Sequence, residues 1–406
     1  MISLLKNGQY LRLWLAQVVA ELGDGITSIV VVLSVARLSD SPIYLSAVIF
    51  VQLLPVAMFS VLLGPFADRY SKRVIMVVSD VYRGLILLGM ILAQDNIYAL
   101  LVLIFLHGIG TALFEPARSS SIPKVVGEER ISEAVSLSQG TFSAMLVIAP
   151  AIGGILVVFV NSSLIFTIGA VTFAVSAMLL STISSLGEGE QVASDERESH
   201  WQLLKEGIRE VTGITALRFL LILLVPISII IGILNANLAA TFLLHFKVPE
   251  MYFGYLRSVF GVGAVIGALL GPVLLRRFPP GQLLTVATAL FGFWLVLIWP
   301  LDYVQRLFGI APIFIWNAVS GMIGTCVNVP IGSLFLTATP DSFRGRGSAL
   351  MQSTVEWGQL AGILLGGWLA QFFGVLLSSA IAGMMLMITV VIFPQLQGYR
   401  ALHGTK

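Results

Sequence analysis

Charge is scarce in this chain. Only 11% of its 406 residues are Asp, Glu, Lys or Arg, against roughly a quarter in soluble domains. A net charge of +2 argues against a basic face for nucleic acid. Cysteine is rarer still. Cys326 stands alone, which excludes an internal disulfide framework and a cysteine-ligated metal cluster. No glycine-rich phosphate-binding loop occurs, so ATP hydrolysis is not expected. The reading is therefore of a non-enzyme with no cofactor. No cleavable leader is expected either, since the first apolar run carries Glu21 and Asp24 and continues as a full span.

What is abundant is hydrocarbon: 57% of residues are hydrophobic and the mean hydropathy is +0.96. Counting apolar runs of about 20 residues, we read twelve spans, near 13–35, 44–66, 74–94, 97–120, 134–158, 163–185, 217–243, 251–275, 282–299, 310–338, 345–372 and 375–395. This predicts an all-α membrane protein of twelve transmembrane helices in two pseudo-symmetric six-helix bundles. Residues 1–185 form the first bundle, 186–215 a cytoplasmic linker and 216–406 the second. The linker holds seven of the 21 acids, and its part from Trp201 to Val211 has the composition of a surface helix, though a solvated linker is the simpler reading.

Cations orient the chain. With both termini inside, 18 of the 23 Lys and Arg fall on the inner side. Arg37, Lys247, Arg257 and Arg306 fall outside and Arg83 is left within span 3. That bias predicts a multi-pass protein of the cytoplasmic membrane with cytoplasmic termini.

The halves repeat. Ile109-Gly110-Thr111 with Pro116 recurs as Ile323-Gly324-Thr325 with Pro330, and Gly64-Pro65 recurs as Gly271-Pro272 before Arg276-Arg277. Two similar halves are the arrangement of a transporter with a midplane site. Asp68 has Leu275 as its counterpart, so a charged gate is expected on one half only.

Between spans 2 and 3 stands Gly64-Pro-Phe-Ala-Asp68-Arg69-Tyr-Ser-Lys72-Arg73. It resembles the cytoplasmic loop signature of the major facilitator superfamily, with Ser71 where a second glycine is usual. Ala149-Pro150-Ala-Ile-Gly153-Gly154 is similar to the antiporter motif of that superfamily, with Ala149 in place of its first glycine. Leu22-Gly23-Asp24, Phe114-Glu-Pro116-Ala117-Arg118 and Thr339-Pro-Asp341-Ser-Phe-Arg344-Gly-Arg346 resemble its bacterial drug:proton antiporter branch, which includes macrolide exporters. The resemblance implies a secondary active transporter that exports amphipathic drug-like molecules in exchange for protons. A lysophospholipid flippase or siderophore exporter of the same fold stays open, as does a non-transporting membrane sensor. Expected partners are the amphipathic substrate, protons and membrane lipids, around a monomer.

Ionisable side chains within a bilayer are costly unless paired or hydrated, so each is a functional candidate. Glu21 and Asp24 share one face of helix 1, and His107 falls near the depth of Asp24 where the macrolide-exporter pattern has arginine. Histidine can gain or lose a proton near neutral pH. Glu21, Asp24, His107, Glu115 and Glu356 are the candidate proton-coupling or substrate-binding groups. Gly64, Asp68, Arg69, Lys72, Arg73 and Arg118 are the gate candidates, with Arg118 an expected partner of Asp68. Pro150, Gly153 and Gly154 supply a bend and close packing. Gln17, Phe142, Asn235, Asn237, Trp316, Gln352 and Trp357 are candidate cavity groups. The pairs Glu115/Arg118 and Asp80/Arg83, one turn apart, read more readily as structural.

Overall fold

In the computed structural model, residues 4–186, 213–339 and 344–395 are described, without the side chains of 60–69, 215–216, 344–346 and 394. They contain thirteen α-helices. These are α1 (Gly8–Leu38), α2 (Pro42–Arg69), α3 (Lys72–Ala93), α4 (Ile97–Val126), α5 (Ile131–Phe159), α6 (Ser162–Ser181), α7 (Thr215–Ala240), α8 (Glu250–Arg277), α9 (Pro280–Val296), α10 (Ile298–Phe308), α11 (Ala311–Ala338), α12 (Arg344–Phe373) and α13 (Val375–Ile392). Ten helices are long and apolar enough to cross a membrane, and α9 with α10 makes an eleventh span. The twelfth is α12, long enough but diluted by Gln352, Glu356, Gln359 and Gln371. The protein is an all-α, twelve-span membrane protein, as the apolar runs predict.

Local chemistry sets the helix ends. Asn7, Asn96 and Asn161 cap α1, α4 and α6 by accepting main-chain N–H groups that the first turn leaves free. Gly127, Gly309 and Gly374 take positive φ between helices. The span read as 282–299 is broken at Leu297, where α9 and α10 meet at 52°. Pro300 explains the break: it lacks the N–H that would bond to Val296, and its ring crowds the preceding turn. At the other end of α7, Thr241–His245 winds into a π-helical turn.

The chain divides into two compact units. The first comprises Met1–Asp40, Val48–Ala193 and Pro249–Ser258. Within it α1 packs on α5 and α6, and α3 on α4 and α6. Gly153 faces Ile26 and Ile29 of α1, while Gly154 faces Gly254 at the start of α8, so the two glycines of the antiporter-like motif serve two different helices. The second unit comprises Ser41–Ala47, Ser194–Val248 and Val259–Lys406. There α12 packs along α7, and α9 on α11 and α13. Gly358, Gly362 and Gly366, four residues apart, meet Ser228, Ile229 and Ile233 of α7. Gly263, Gly267 and Gly271 of α8 do the same against Ala318, Met322 and Val329 of α11. Without a hydrophobic drive inside lipid, close backbone approach of this kind holds membrane helices together.

Arg257, counted among the outer cations, lies two turns into α8, within the span read as 251–275. The surface helix considered for Trp201 to Val211 lies outside the described residues.

Gly362→Leu drives a side chain into the Ile229 carbonyl and is expected to cost about 1–3 kcal/mol, read as a lower melting temperature in detergent. Gly332→Ala, with open space around its Cβ position, is the control and should leave that temperature unchanged or slightly higher.

Candidate functional site

Helix α1 carries a polar stripe of Gln17, Glu21, Asp24 and Ser28, stepping by four, three and four residues, which keeps all four on one face. The stripe serves two separate networks, both within the first unit.

The first is built on Arg83 of α3. One terminal nitrogen donates to Asp24 Oδ2 at 3.0 Å, and the other donates to Asp80 Oδ1. Ser176 of α6 donates to the second Asp80 oxygen at 2.6 Å. The guanidinium lies 4.5 Å from the ring centre of Phe114 and 4.3 Å from that of Phe173, so two aromatic faces hold the cation from α4 and α6. Gly110 makes room for it, since a Cβ there would come within 2.6 Å of Arg83 Cγ. This gives the repeated Ile-Gly-Thr motif a physical role in the first half.

Arg83 and Asp80 are sealed, with side chains 2% and 0% exposed, whereas that of Asp24 is 34% exposed. The exposure has a cause: Asp24 borders a cavity of about 270 Å³, lined also by Thr27, Ser28, Gln52, His107 and Thr111. His107 Nε2 stands 3.5 Å from Asp24 Oδ1, too long for a good hydrogen bond, with its ring against Phe173. With both acids ionised and His107 neutral, one cation faces two anions. The cluster then holds a surplus negative charge beside the cavity.

The second network leaves α1 through Glu21. Gln17 donates to Glu21 Oε1 at 2.7 Å and accepts from Ser138 Oγ of α5 at 2.9 Å. Arg118 of α4 donates to Ser138 Oγ at 2.7 Å and to Glu115 at 2.8 Å. Glu21 Oε2 is buried without a partner among the described residues. Glu21 and Asp24, grouped as one site from their spacing, thus belong to different hydrogen-bond systems on neighbouring turns.

The remaining candidates spread out. Glu356 of α12 accepts from Gln352 at 3.0 Å. Phe142 and Trp357 are exposed, at 48% and 50%, and Asn235 is half-buried. Asn237 is sealed and bonded to Ser378 at 2.7 Å. Trp316 is buried and trades indole-to-carbonyl hydrogen bonds with Trp294, so it packs α11 on α9 and is not free to meet a ligand. Lys72 reaches the Ser120 carbonyl and Arg73 that of Ile183. Gly64, Asp68 and Arg69 fall in the part of α2 beyond the described side chains. Arg118, expected opposite Asp68, has Ser138 and Glu115 as its partners here.

Residues 13–335 match the family described as Major Facilitator Superfamily. The chain belongs to the major facilitator superfamily. Relatives of this transporter include the MFS-type transporter YfiS of Bacillus subtilis (strain 168), 25% identical with 94% of this chain and 92% of that protein covered. Macrolide efflux protein A of Streptococcus pyogenes is 20% identical, covering 97% of both chains. The enterobactin exporter EntS of Escherichia coli O1:K1 / APEC is 24% identical, covering 96% and 92%. A bacterial homologue of the iron transporter ferroportin, solved in an inward-facing state, superposes with a TM-score of 0.74 at 16% identity over 95% of this chain and 98% of that one. At such identity the likeness concerns the fold alone.

Arg83 is the site residue that sequence reasoning passed over. The visible signal was its place in the middle of span 3, but the pairing with Asp80 three residues away explained it too readily. Its bond to Asp24 spans 59 positions and needs the packed helices.

The two acids should separate in stability measurements. Asp80→Asn weakens the sealed hydrogen bonds to Arg83 and Ser176 while Asp24 still pairs the guanidinium, and is expected to destabilise by about 1–3 kcal/mol. Asp24→Asn, at the cavity wall where water can take over, is expected to cost less than half as much. Thermal unfolding of the two purified variants checks the order.

Proposed function

We propose that the protein is a proton-coupled exporter of amphipathic small molecules in which Asp24 is the exchangeable acid. The observation that carries this reading is the uneven pair around Arg83: one acid sealed away, the other bordering a cavity. A permanent cation shared by two carboxylates compensates only one of them. The remaining charge is met by a proton or by a cationic group in the cavity, and Asp24 is the member that water and ligand can reach. Asp80, Ser176, Phe114 and Phe173 position Arg83, which in turn fixes the carboxylate. His107 stands 3.5 Å from the carboxylate on the same cavity wall. Glu21 and its chain through Gln17, Ser138 and Arg118 lie one turn away, and Glu356 of α12 is the candidate acid of the second unit.

In the cycle we infer, a proton from outside neutralises Asp24, cargo leaves in the outward-open state, and the proton is released inward as the halves 1–185 and 216–406 rock. One charge moved through 100 mV supplies about 2.3 kcal/mol, enough for a cargo gradient of roughly fifty-fold. The names of the macrolide efflux and enterobactin exporter relatives support the outward direction. The bias of cations to one side supports a cytoplasmic membrane with both termini inside, where a monomer suffices and no cofactor besides protons is needed.

The test is uptake into inverted membrane vesicles, from a panel of dyes, macrolides, siderophores and lysolipids, with and without a protonophore. Asp24→Asn is expected to lose pH-gradient-driven uptake at least ten-fold while retaining substrate exchange at equal pH, which needs no net proton movement. Glu356→Gln, measured beside it, tells whether the second unit shares the proton. Undiminished gradient-driven transport in Asp24→Asn would retire the coupling scheme. Lysolipid movement indifferent to the protonophore would favour a flippase.

A further inference from the structure

The cavity beside Asp24 is lined by residues of α1, α2, α3 and α4, every one of them in the first unit. Consecutive spans joined by short turns alternate in direction. The ends of α1 and α3 and the starts of α2 and α4 therefore lie on one side of the membrane. Depth can be counted from those positions, Leu38, Ala93, Pro42 and Ile97. Met90 lies three residues in, and Val31 and Ile104 lie seven. Ser28, Gln52 and His107 lie ten residues in, and Asp24 and Thr111 fourteen, with Val56 at the same depth. Apolar side chains thus close one end, polar ones circle the middle, and the carboxylate stands at the other end. Met90, Val31 and Ile104 are buried, which makes theirs the blind end. From Val31 to Asp24 the wall runs about 10 Å along α1. The volume of about 270 Å³ equals that of about nine waters, so an occupant is small or inserts one end only.

We propose that this cavity is a length-selective site for an amphipathic monoamine, with its ammonium at Asp24 and its hydrocarbon end against Val31, Met90 and Ile104. Arg83 bonds to Asp24 Oδ2 but divides its charge with Asp80, so the exposed carboxylate keeps negative charge for a second cation. Among the described residues no Lys or Arg lines the cavity, so an anionic group finds no partner there. The described residues also hold no set of three or more His, Cys, Asp or Glu able to bind a metal ion, which favours an organic cation. The ethanolamine headgroup of a phospholipid is another source of an ammonium. Its phosphate, two carbons away, would enter a wall without a permanent cation, which favours a soluble amine. The proposal deepens the exporter reading by naming a class of cargo, and rests on it for the word cargo.

The experiment uses the full-length purified protein in detergent, titrated by calorimetry with butylamine, hexylamine, octylamine and decylamine at neutral pH, where each is an ammonium. Affinity is expected to rise about four-fold per added methylene until the chain meets the blind end, and then to level off. Ile104→Ala should move that break to a longer amine and Val31→Phe to a shorter one. Hexanol, which lacks the charge, should bind the parent protein about ten-fold more weakly than hexylamine, and Asp24→Asn should remove the difference. Phosphoethanolamine should not bind. Hexanol bound by the parent as tightly as hexylamine, or a rise unbroken to decylamine, overturns the site whatever the variants do. So does a break that neither substitution moves, or the absence of any amine binding. Phosphoethanolamine bound as tightly as butylamine overturns the soluble source in favour of a lipid headgroup. Proteoliposome transport separates the two claims. Amines bound with this length dependence but not moved defeat the exporter reading alone. Other compounds moved with no amine bound defeat the amine site alone.

Discussion

A guanidinium with nowhere to go organises the first unit. Arg83 cannot shed its proton and cannot reach water, so everything within reach of it is committed to holding its charge. Two carboxylates, a serine behind one of them, two phenyl faces and a glycine without a side chain come from α1, α3, α4 and α6. These elements fix the position of Asp24 more tightly than hydrophobic contact would, because each is a polar obligation in a place without solvent. The arrangement is asymmetric in what it exposes. The acid nearer in sequence is walled in, and the distant one is left on the cavity wall. Placing chemistry on Asp24 follows from that difference.

The scaffold around this cluster is made rigid by glycine instead of by bulk. Gly23 and Gly25 bring α1 against Thr172 and Ala149, Gly153 meets Ile26, and Gly292 and Gly383 face each other between α9 and α13. Close approach maximises dispersion contacts and lets backbone C–H groups meet backbone carbonyls. At Gly23 and Gly25 the neighbouring Thr172 and Ala149 side chains occupy the space that a Cβ would fill. Such contacts also explain how a chain with so few ionic contacts keeps helices in register.

Much of the architecture was legible in the one-dimensional pattern. A bilayer enforces length and hydropathy on each span, so twelve apolar runs and the doubled Ile-Gly-Thr motif announce themselves. The run of α12 is the one most diluted by polar residues, at Gln352, Glu356, Gln359 and Gln371. The break at Leu297 was visible in Pro300, yet a continuous apolar run hid it. What could not be read was pairing across helices. The bond of Arg83 to Asp24, the Trp294–Trp316 exchange and the separation of Glu21 from Asp24 all depend on which faces meet.

The position of Asp24 also bears on the energetics of expulsion. If a neutral cargo leaves while one proton enters through that acid, each cycle carries one positive charge inward, and the electrical potential adds its drive to that of the acidity difference. A cell with little acidity difference across its membrane would still eject such a compound by voltage alone.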